Sequence, residues 1–384
     1  MVHHKHFPTF PRRIPKAGRI TAWIRKNIVL TVAFIAALVT SCIVPPDAAY
    51  RSYLDFKTLT CLFCVLAVVC ALKNIRFFTI LARKVVDCTK NLRMTVLALV
   101  YITFIGSMLI ANDMALLTFL PLGFFVLTST GKTKYMAVVF ILQNIAANLG
   151  GMLTPFGNPQ NLFLYTKFSI PTPEFMKIMA IPFLAAIALI TVCCLFFPKT
   201  QLEITEPCAY LLPAKRTAIY VLLFILSIVI VFRFIPYWIG LIVIPVVLMV
   251  LDRDALKKVD YPLLLTFVCF FIFSGNMARI PAVSTFFSGL LEKNTLIVSA
   301  ISCQFISNVP SAILLSQFTT DYQALLLGVN IGGTGTLIAS LASLITFREY
   351  TTHNPKKAGK YILLFSAFNF SFLILLTALS LFLV

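Results

Sequence analysis

The chain has 384 residues, of which 60% are hydrophobic and 12% charged, with a mean hydropathy of +0.95. A soluble domain cannot hide that much apolar surface, so lipid is the solvent for most of the chain. The net charge of +19 does not point to nucleic acid, because the bases sit in short loops beside apolar spans, with no basic helix and no aromatic-interleaved basic patch.

Residues 1–26, with HHKH at 3–6, read as a solvated cytoplasmic tail. Apolar segments follow whose lengths predict nine membrane crossings near 27–44, 56–72, 135–172, 176–198, 217–232, 235–251, 261–275, 323–345 and 361–384. Those at 135–172 and 323–345 are interrupted by helix breakers. Two further pairs, 94–111 with 114–130 and 295–306 with 309–319, are split only by one or two polar residues and read as re-entrant hairpins. With the N-terminus inside, the inner loops hold 25 of the 32 Lys and Arg, which favours that orientation. The polar stretch 199–216 becomes an inner linker between the segments 27–198 and 217–384.

Several short patterns carry no chemistry. VTSC (39–42) resembles a lipoprotein cleavage box, but a chain already embedded needs no lipid anchor. CLFC (61–64) has no second cysteine pair and no nearby His, so its cysteines read as small packing residues. GKT (131–133) lacks the glycine of a phosphate loop, since position 126 is Val. No HExxH or GxSxG occurs, and no nucleophile–base or metal constellation suggests an enzyme. Nor does any continuous polar helix suggest a channel.

The segment NLGGMLTPFGNPQNL (148–162) aligns with NIGGTGTLIASLASL (330–344). Asn148 falls on Asn330, Gly150 on Gly332, Gly151 on Gly333, Thr154 on Thr336, Asn158 on Ser340 and Asn161 on Ser343. Upstream, Asn112 falls on Asn308. Each half therefore reads as crossing, amphipathic helix, Asn-tipped hairpin, broken crossing and last crossing. The two halves are expected to be inverted in the membrane, with one extra crossing in the second. The fold class is thus all-α and polytopic.

A helix broken in mid-membrane exposes free N–H groups on one half and free C=O groups on the other, which suits an anion and a cation respectively. The candidate binding residues are Asn112, Asp113, Gly150, Gly151, Thr154, Gly157, Asn158 and Asn161 in the first half. In the second they are Ser307, Asn308, Ser311, Gly332, Gly333, Thr334, Thr336 and Ser340. Neutral hydroxyls and amides can bind an ion reversibly without the cost of a buried fixed charge. Asn112, Asp113 and Asn308 are candidate Na⁺ ligands. Asp113 reads as the one acid deep in the membrane, either a cation ligand or a proton carrier.

Hairpins tipped by AND (111–113) and SNVPS (307–311), with broken helices at LTPFGNPQN and GGTGTLIASLAS, resemble the ion transporter superfamily. That group includes citrate-transporter-like permeases, divalent anion:sodium symporters, arsenite permeases and a branch of sodium/proton antiporters. The resemblance spans about residues 27–384, and TPFGNPQN looks most like the citrate-transporter-like permeases. In such symporters a Ser-Asn-Thr tip on both hairpins holds sodium and substrate carboxylate. Here Thr is missing from both tips, and the Asn112-Asp113 pair is similar to the arsenite and antiporter branches.

The resemblance implies a secondary transporter moving a small anion, a di- or tricarboxylate or an inorganic oxyanion, coupled to Na⁺ or H⁺. The alternative is a sodium/proton antiporter using Asp113. No cofactor is expected beyond the coupling ion. The expected partners are the anion, the bilayer and a second copy of the chain in a homodimer, in a prokaryotic plasma membrane.

Overall fold

The computed structural model describes residues 27–202 and 212–383. The N-terminal tail and the middle of the 199–216 linker lie outside the described residues. The first half comprises α1 (Ile28–Ile43), a single turn α2 (Tyr50–Tyr53), α3 (Phe56–Asn74), α4 (Phe77–Asp87), α5 (Leu92–Ile110), α6 (Asn112–Ser129), α7 (Met136–Gly150), α8 (Pro159–Lys167) and α9 (Thr172–Leu195). The second comprises α10 (Ala214–Val231), α11 (Tyr237–Leu251), α12 (Arg253–Lys257), α13 (Tyr261–Ala278), α14 (Pro281–Leu291), α15 (Thr295–Ile306), α16 (Asn308–Leu315), α17 (Tyr322–Ile331), α18 (Leu341–His353) and α19 (Ala358–Ser380). Among the described residues the only β pairing is an isolated bridge between Asn91 and Gln201.

Short polar residues set where helices begin. The Asp55, Asn91, Asp252, Asp260, Asn294, Asp321 and Ser340 side chains each accept the backbone N–H three residues on. Such caps satisfy a donor that the helix itself leaves free. From α3 to α9 and from α13 to α19 the order of elements is the same: long helix, short helix, hairpin, broken pair, long helix.

Seven helical segments of the described chain are long and apolar enough to cross a membrane, which makes this an all-α polytopic membrane protein. They include both arms of the first hairpin, α5 and α6, with 19 and 18 residues, or ~28 Å each. The arms of the second hairpin have only 12 and 8 residues. Length alone would make α5 and α6 ordinary crossings. Their turn, however, packs against the interruption between α7 and α8, where Thr154 Oγ1 donates to the Met108 carbonyl at 3.1 Å.

The broken helices occupy the middle. Residues 139–150 and 324–333 are buried all round, whereas α1 and α11 show Phe34, Leu38, Trp238, Ile242 and Val246 at the surface. This is the distribution expected when lipid is the solvent: exposed leucines and isoleucines carry no penalty, and helices without an outward face lie at the centre. At the periphery α1 packs along α13 and α3 along α10 and α11. The Asn276 amide of α13 fastens the first pair through Thr40 and Ser41.

Polar contacts gather at two opposite ends. At one, Asn74 donates to Asp252 at 3.0 Å, Lys258 donates to Asn74 at 2.8 Å, and Leu92 N–H donates to Thr200 O. At the other, Arg279 pairs with Asp47 at 2.8 Å and holds its carboxyl below the usual carboxylate range, Tyr322 donates to Glu174 at 2.6 Å, and the Arg233 guanidinium donates to the carbonyl of Tyr165. Lys84 and Lys293 are exposed and lie near the first and second ends respectively. Cysteines placed at these two positions, in a chain whose own cysteines are replaced by alanine, are expected to react with a membrane-impermeant maleimide from opposite faces of sealed vesicles. Labelling of both from one face would refute this arrangement.

Candidate functional site: the amide cluster between two helix breaks

Each hairpin turns on one residue in an unusual backbone conformation. Ala111 has φ 66° and ψ 152°, and Ser307 has φ 74° and ψ 159°. Residues with a Cβ rarely adopt this region, and each costs about 1–3 kcal/mol. The next residue is Asn in both, and its Oδ1 accepts the following backbone N–H at 2.9 Å. That bond fixes the amide at the tip and leaves its Nδ2 for a partner elsewhere. Asn112 Nδ2 donates to Asn148 Oδ1 at 3.2 Å. At the other tip, Asn308 N–H and Ser307 Oγ both donate to the Ala339 carbonyl.

The first break runs from Gly151 to Asn158. It frees backbone carbonyls, and Asn161 collects them: its Nδ2 lies 3.1, 3.2 and 3.3 Å from the carbonyls of Gly151, Met152 and Thr154. Asn158 ends the break in extended backbone and donates to Asn148 O at 3.4 Å. Gly157 lies within this turn. Gly150 closes α7 directly against the Phe104 carbonyl of α5, where a Cβ would collide with backbone.

The second break, residues 332–340, is organised by a side chain from its hairpin. Gln304 Nε2 donates to Gly332 O and Thr334 O at 2.9 and 3.1 Å, and its Oε1 accepts Thr336 N–H at 2.8 Å. Thr336 Oγ1 returns a bond to Gln304 O at 3.0 Å, the counterpart of the Thr154–Met108 bond. Ser340 closes the break as the N-cap of α18, in nearly the backbone conformation of Asn158.

The breaks touch across the centre. Asn330 Nδ2 donates to Asn161 Oδ1 at 2.6 Å. A Cβ on Gly333 would lie 3.0 Å from Asn308 Nδ2 and 3.7 Å from Asn148 Oδ1, so the absence of a side chain here lets the second hairpin tip approach the first broken helix. Asn112, Asn148, Asn158, Asn161, Asn308 and Asn330 thus form one neutral cluster, each at most 4% exposed. Asn158 Oδ1 and Asn330 Oδ1 are buried without a hydrogen-bond partner among the described residues. Buried acceptors left open in a fully packed centre are groups that a cation or a donor ligand can use.

Not all the predicted residues meet there. Ser311 bonds Ser302 across the arms of its own hairpin at 3.0 Å, and Thr334 Oγ1 donates to Ile331 O at 2.6 Å. Asp113 leaves the cluster altogether: it faces a small cavity on the other side of the tip, shared with Asp260. Asp260, the half-buried N-cap of α13, lines the same cavity. Asp260 reads as a loop residue before a crossing, yet the packing of α13 brings it to the same cavity.

Sequence reasoning did not single out Gln304, or the second layer in which Asn144 reaches Ser343, Asn369 and Thr346 at 3.3–3.4 Å. The available signal was a lone amide inside each apolar run, in ISCQFIS and SAFNFSF, since such groups are costly in lipid without a partner. Gln304→Leu leaves two carbonyls and an N–H unpaired. It is expected to lower stability by about 3 kcal/mol or more, read as a fall in the melting temperature of the purified protein. Exposed Gln317→Leu serves as the neutral control.

The citrate transporter family matches residues 20–325. An uncharacterized transporter of Methanocaldococcus jannaschii is 32% identical over 325 residues, covering 84% of this chain and 89% of that protein. The inner membrane protein YbiR of Escherichia coli is 30% identical over 285 residues, covering 71% of this chain and 74% of its own length. A multi-pass membrane chain that matches this family over most of its length is a membrane transporter, and it belongs to the citrate transporter family.

Proposed function

We propose that the protein is a secondary active transporter for a small anion, a di- or tricarboxylate or an inorganic oxyanion, coupled to Na⁺ or H⁺ by alternating access. One observation carries this reading. Four helices, α6, α8, α16 and α18, begin at the amide cluster, and four others, α5, α7, α15 and α17, end there. The starting ends gather positive partial charge and suit an anion; the finishing ends gather carbonyl charge and suit a cation. Between them lie neutral amides, which exchange an ion more readily than a fixed charge would.

Alternating access needs two parts that exchange exposure. What supports inverted halves is the placement of the hairpin bases. Asn91 and Leu92 bond to 200–201 at one end, while Lys293, Asn294 and Thr295 line a cavity with Lys167 and Phe168 at the other. The excess of Lys and Arg in the loops of the first end supports placing that end, and the N-terminus, in the cytoplasm.

A second reading, exchange of Na⁺ for H⁺ through Asp113, is favoured by the buried Asp113 Oδ1, which has no hydrogen-bond partner among the described residues. Uptake of labelled citrate, succinate and arsenite into proteoliposomes, with and without a Na⁺ or pH gradient, separates the two. The anion reading expects gradient-dependent uptake of one of these. Gly333→Val should abolish it while leaving expression intact, because the branched side chain enters the space between Asn308 and Asn148. Absence of anion uptake together with Na⁺-driven proton movement would establish the antiporter instead.

A further inference from the structure

Two short helices lie along opposite ends of the molecule. α4 (Phe77–Asp87) follows Asn74, which bonds Asp252 at the first end, and leads to Asn91, which pairs with Gln201 at that same end. Its 11 residues, ~16 Å long, therefore run along the membrane face instead of across it. Phe78, Ile80, Ala82 and Val86 are buried, and the helix packs on α3, α5 and α6. The opposite strip is open: Leu81 is 53% exposed and Val85 45%, with Lys84 exposed beside them and Lys90 exposed just beyond the helix. Neither lysine forms an ion pair among the described residues. Between 73 and 93 the chain carries six Lys or Arg and one acid, Asp87. Arg83 and Arg93 of this set turn inward, onto the Phe125 ring and the Phe197 carbonyl.

The matching helix of the second half is built differently. α14 (Pro281–Leu291) lies between Arg279, paired with Asp47, and Lys293 at the second end; it exposes Phe286 at 63% but holds no charged residue. The two helices thus share a position and an open apolar strip, and differ in charge. Such a strip places a helix at the boundary between acyl chains and headgroups. The apolar side chains meet the chains, and a lysine stem lies along them with its ammonium at headgroup level. A zwitterionic headgroup suffices for α14. On α4 ammonium groups without a carboxylate partner face that level, and an anionic phosphate headgroup gains most from them.

We propose that α4 is a docking strip for anionic phospholipid, with Leu81 and Val85 against the acyl chains and Lys84 and Lys90 on the phosphate headgroup. Because α4 joins α3 to the first arm of the first hairpin, the lipid is bound at the base of that hairpin. The inference goes beyond the transport reading and does not depend on which ion is carried.

The test is quenching of tryptophan fluorescence in nanodiscs of equal phosphatidylglycerol and phosphatidylcholine, with bromine on the chains of one lipid or of the other. In the full chain carrying Trp23→Phe and Trp238→Phe, Leu81→Trp reports on α4 and Phe286→Trp on α14. Brominated phosphatidylglycerol should quench Leu81→Trp roughly twofold or more beyond brominated phosphatidylcholine, and the two should quench Phe286→Trp equally. Adding Lys84→Gln with Lys90→Gln should abolish the preference, whereas Lys84→Arg with Lys90→Arg should keep it. Inorganic phosphate at constant ionic strength should leave it unchanged. Equal quenching at Leu81→Trp, the same preference at Phe286→Trp, or a preference that survives both Gln substitutions overturns the strip. A preference lost to inorganic phosphate assigns the lysines to a free anion and overturns the lipid.

Discussion

Lipid offers no hydrogen bonds, so a helix can break inside a membrane only where protein groups replace the partners it gives up. Two amide side chains meet that need. Asn161 gathers three carbonyls of the first break, and Gln304 gathers two carbonyls and one N–H of the second. Without them the gaps between α7 and α8 and between α17 and α18 would expose bare backbone, and the helix ends that make the centre polar could not stay apart. The two amides come from different places. Asn161 lies on the helix that follows its own break, whereas Gln304 reaches in from a hairpin. The second hairpin is therefore clamped to its break by a side chain, while the first meets its own through Thr154 and Asn112.

The strained turns at Ala111 and Ser307 belong to the same arrangement. A hairpin that reversed through a glycine would be cheaper, at about 1–3 kcal/mol less for each turn, but these turns are held by what surrounds them. Ala339 accepts two bonds from the second tip, and Asn148 accepts one from the first. The strain is thus coupled to the breaks: displacing a break removes the contacts that hold the adjoining tip.

The halves share an order of elements but not their chemistry. The first hairpin has long arms and carries Asp113; the second has short arms and Val309 at the matching place. Of the two tips only the first carries a carboxylate, and the amide cluster itself is neutral. A neutral amide centre thus stands beside a cavity that two carboxylates line.

Much of this is legible in the sequence. Apolar lengths mark the crossings, Asp, Asn and Ser mark helix starts, glycine marks both interruptions, and proline marks the first. The alignment pairs Asn158 with Ser340, which share a backbone conformation, and Asn112 with Asn308, whose Oδ1 atoms accept the same backbone N–H bond. These features are local, since caps, breakers and apolar length act within a few residues of chain. What only the tertiary structure decided is which polar groups meet. Asp260 reaches the cavity of Asp113, Gln304 serves a break nearly thirty residues later, Asn330 bonds Asn161, and Asn144 reaches Asn369. The sequence marks each of these only as a polar residue in or beside an apolar run. In lipid, apolar faces do not choose their neighbours by hydrophobicity, so close packing around small residues and the pairing of buried amides select which helices meet.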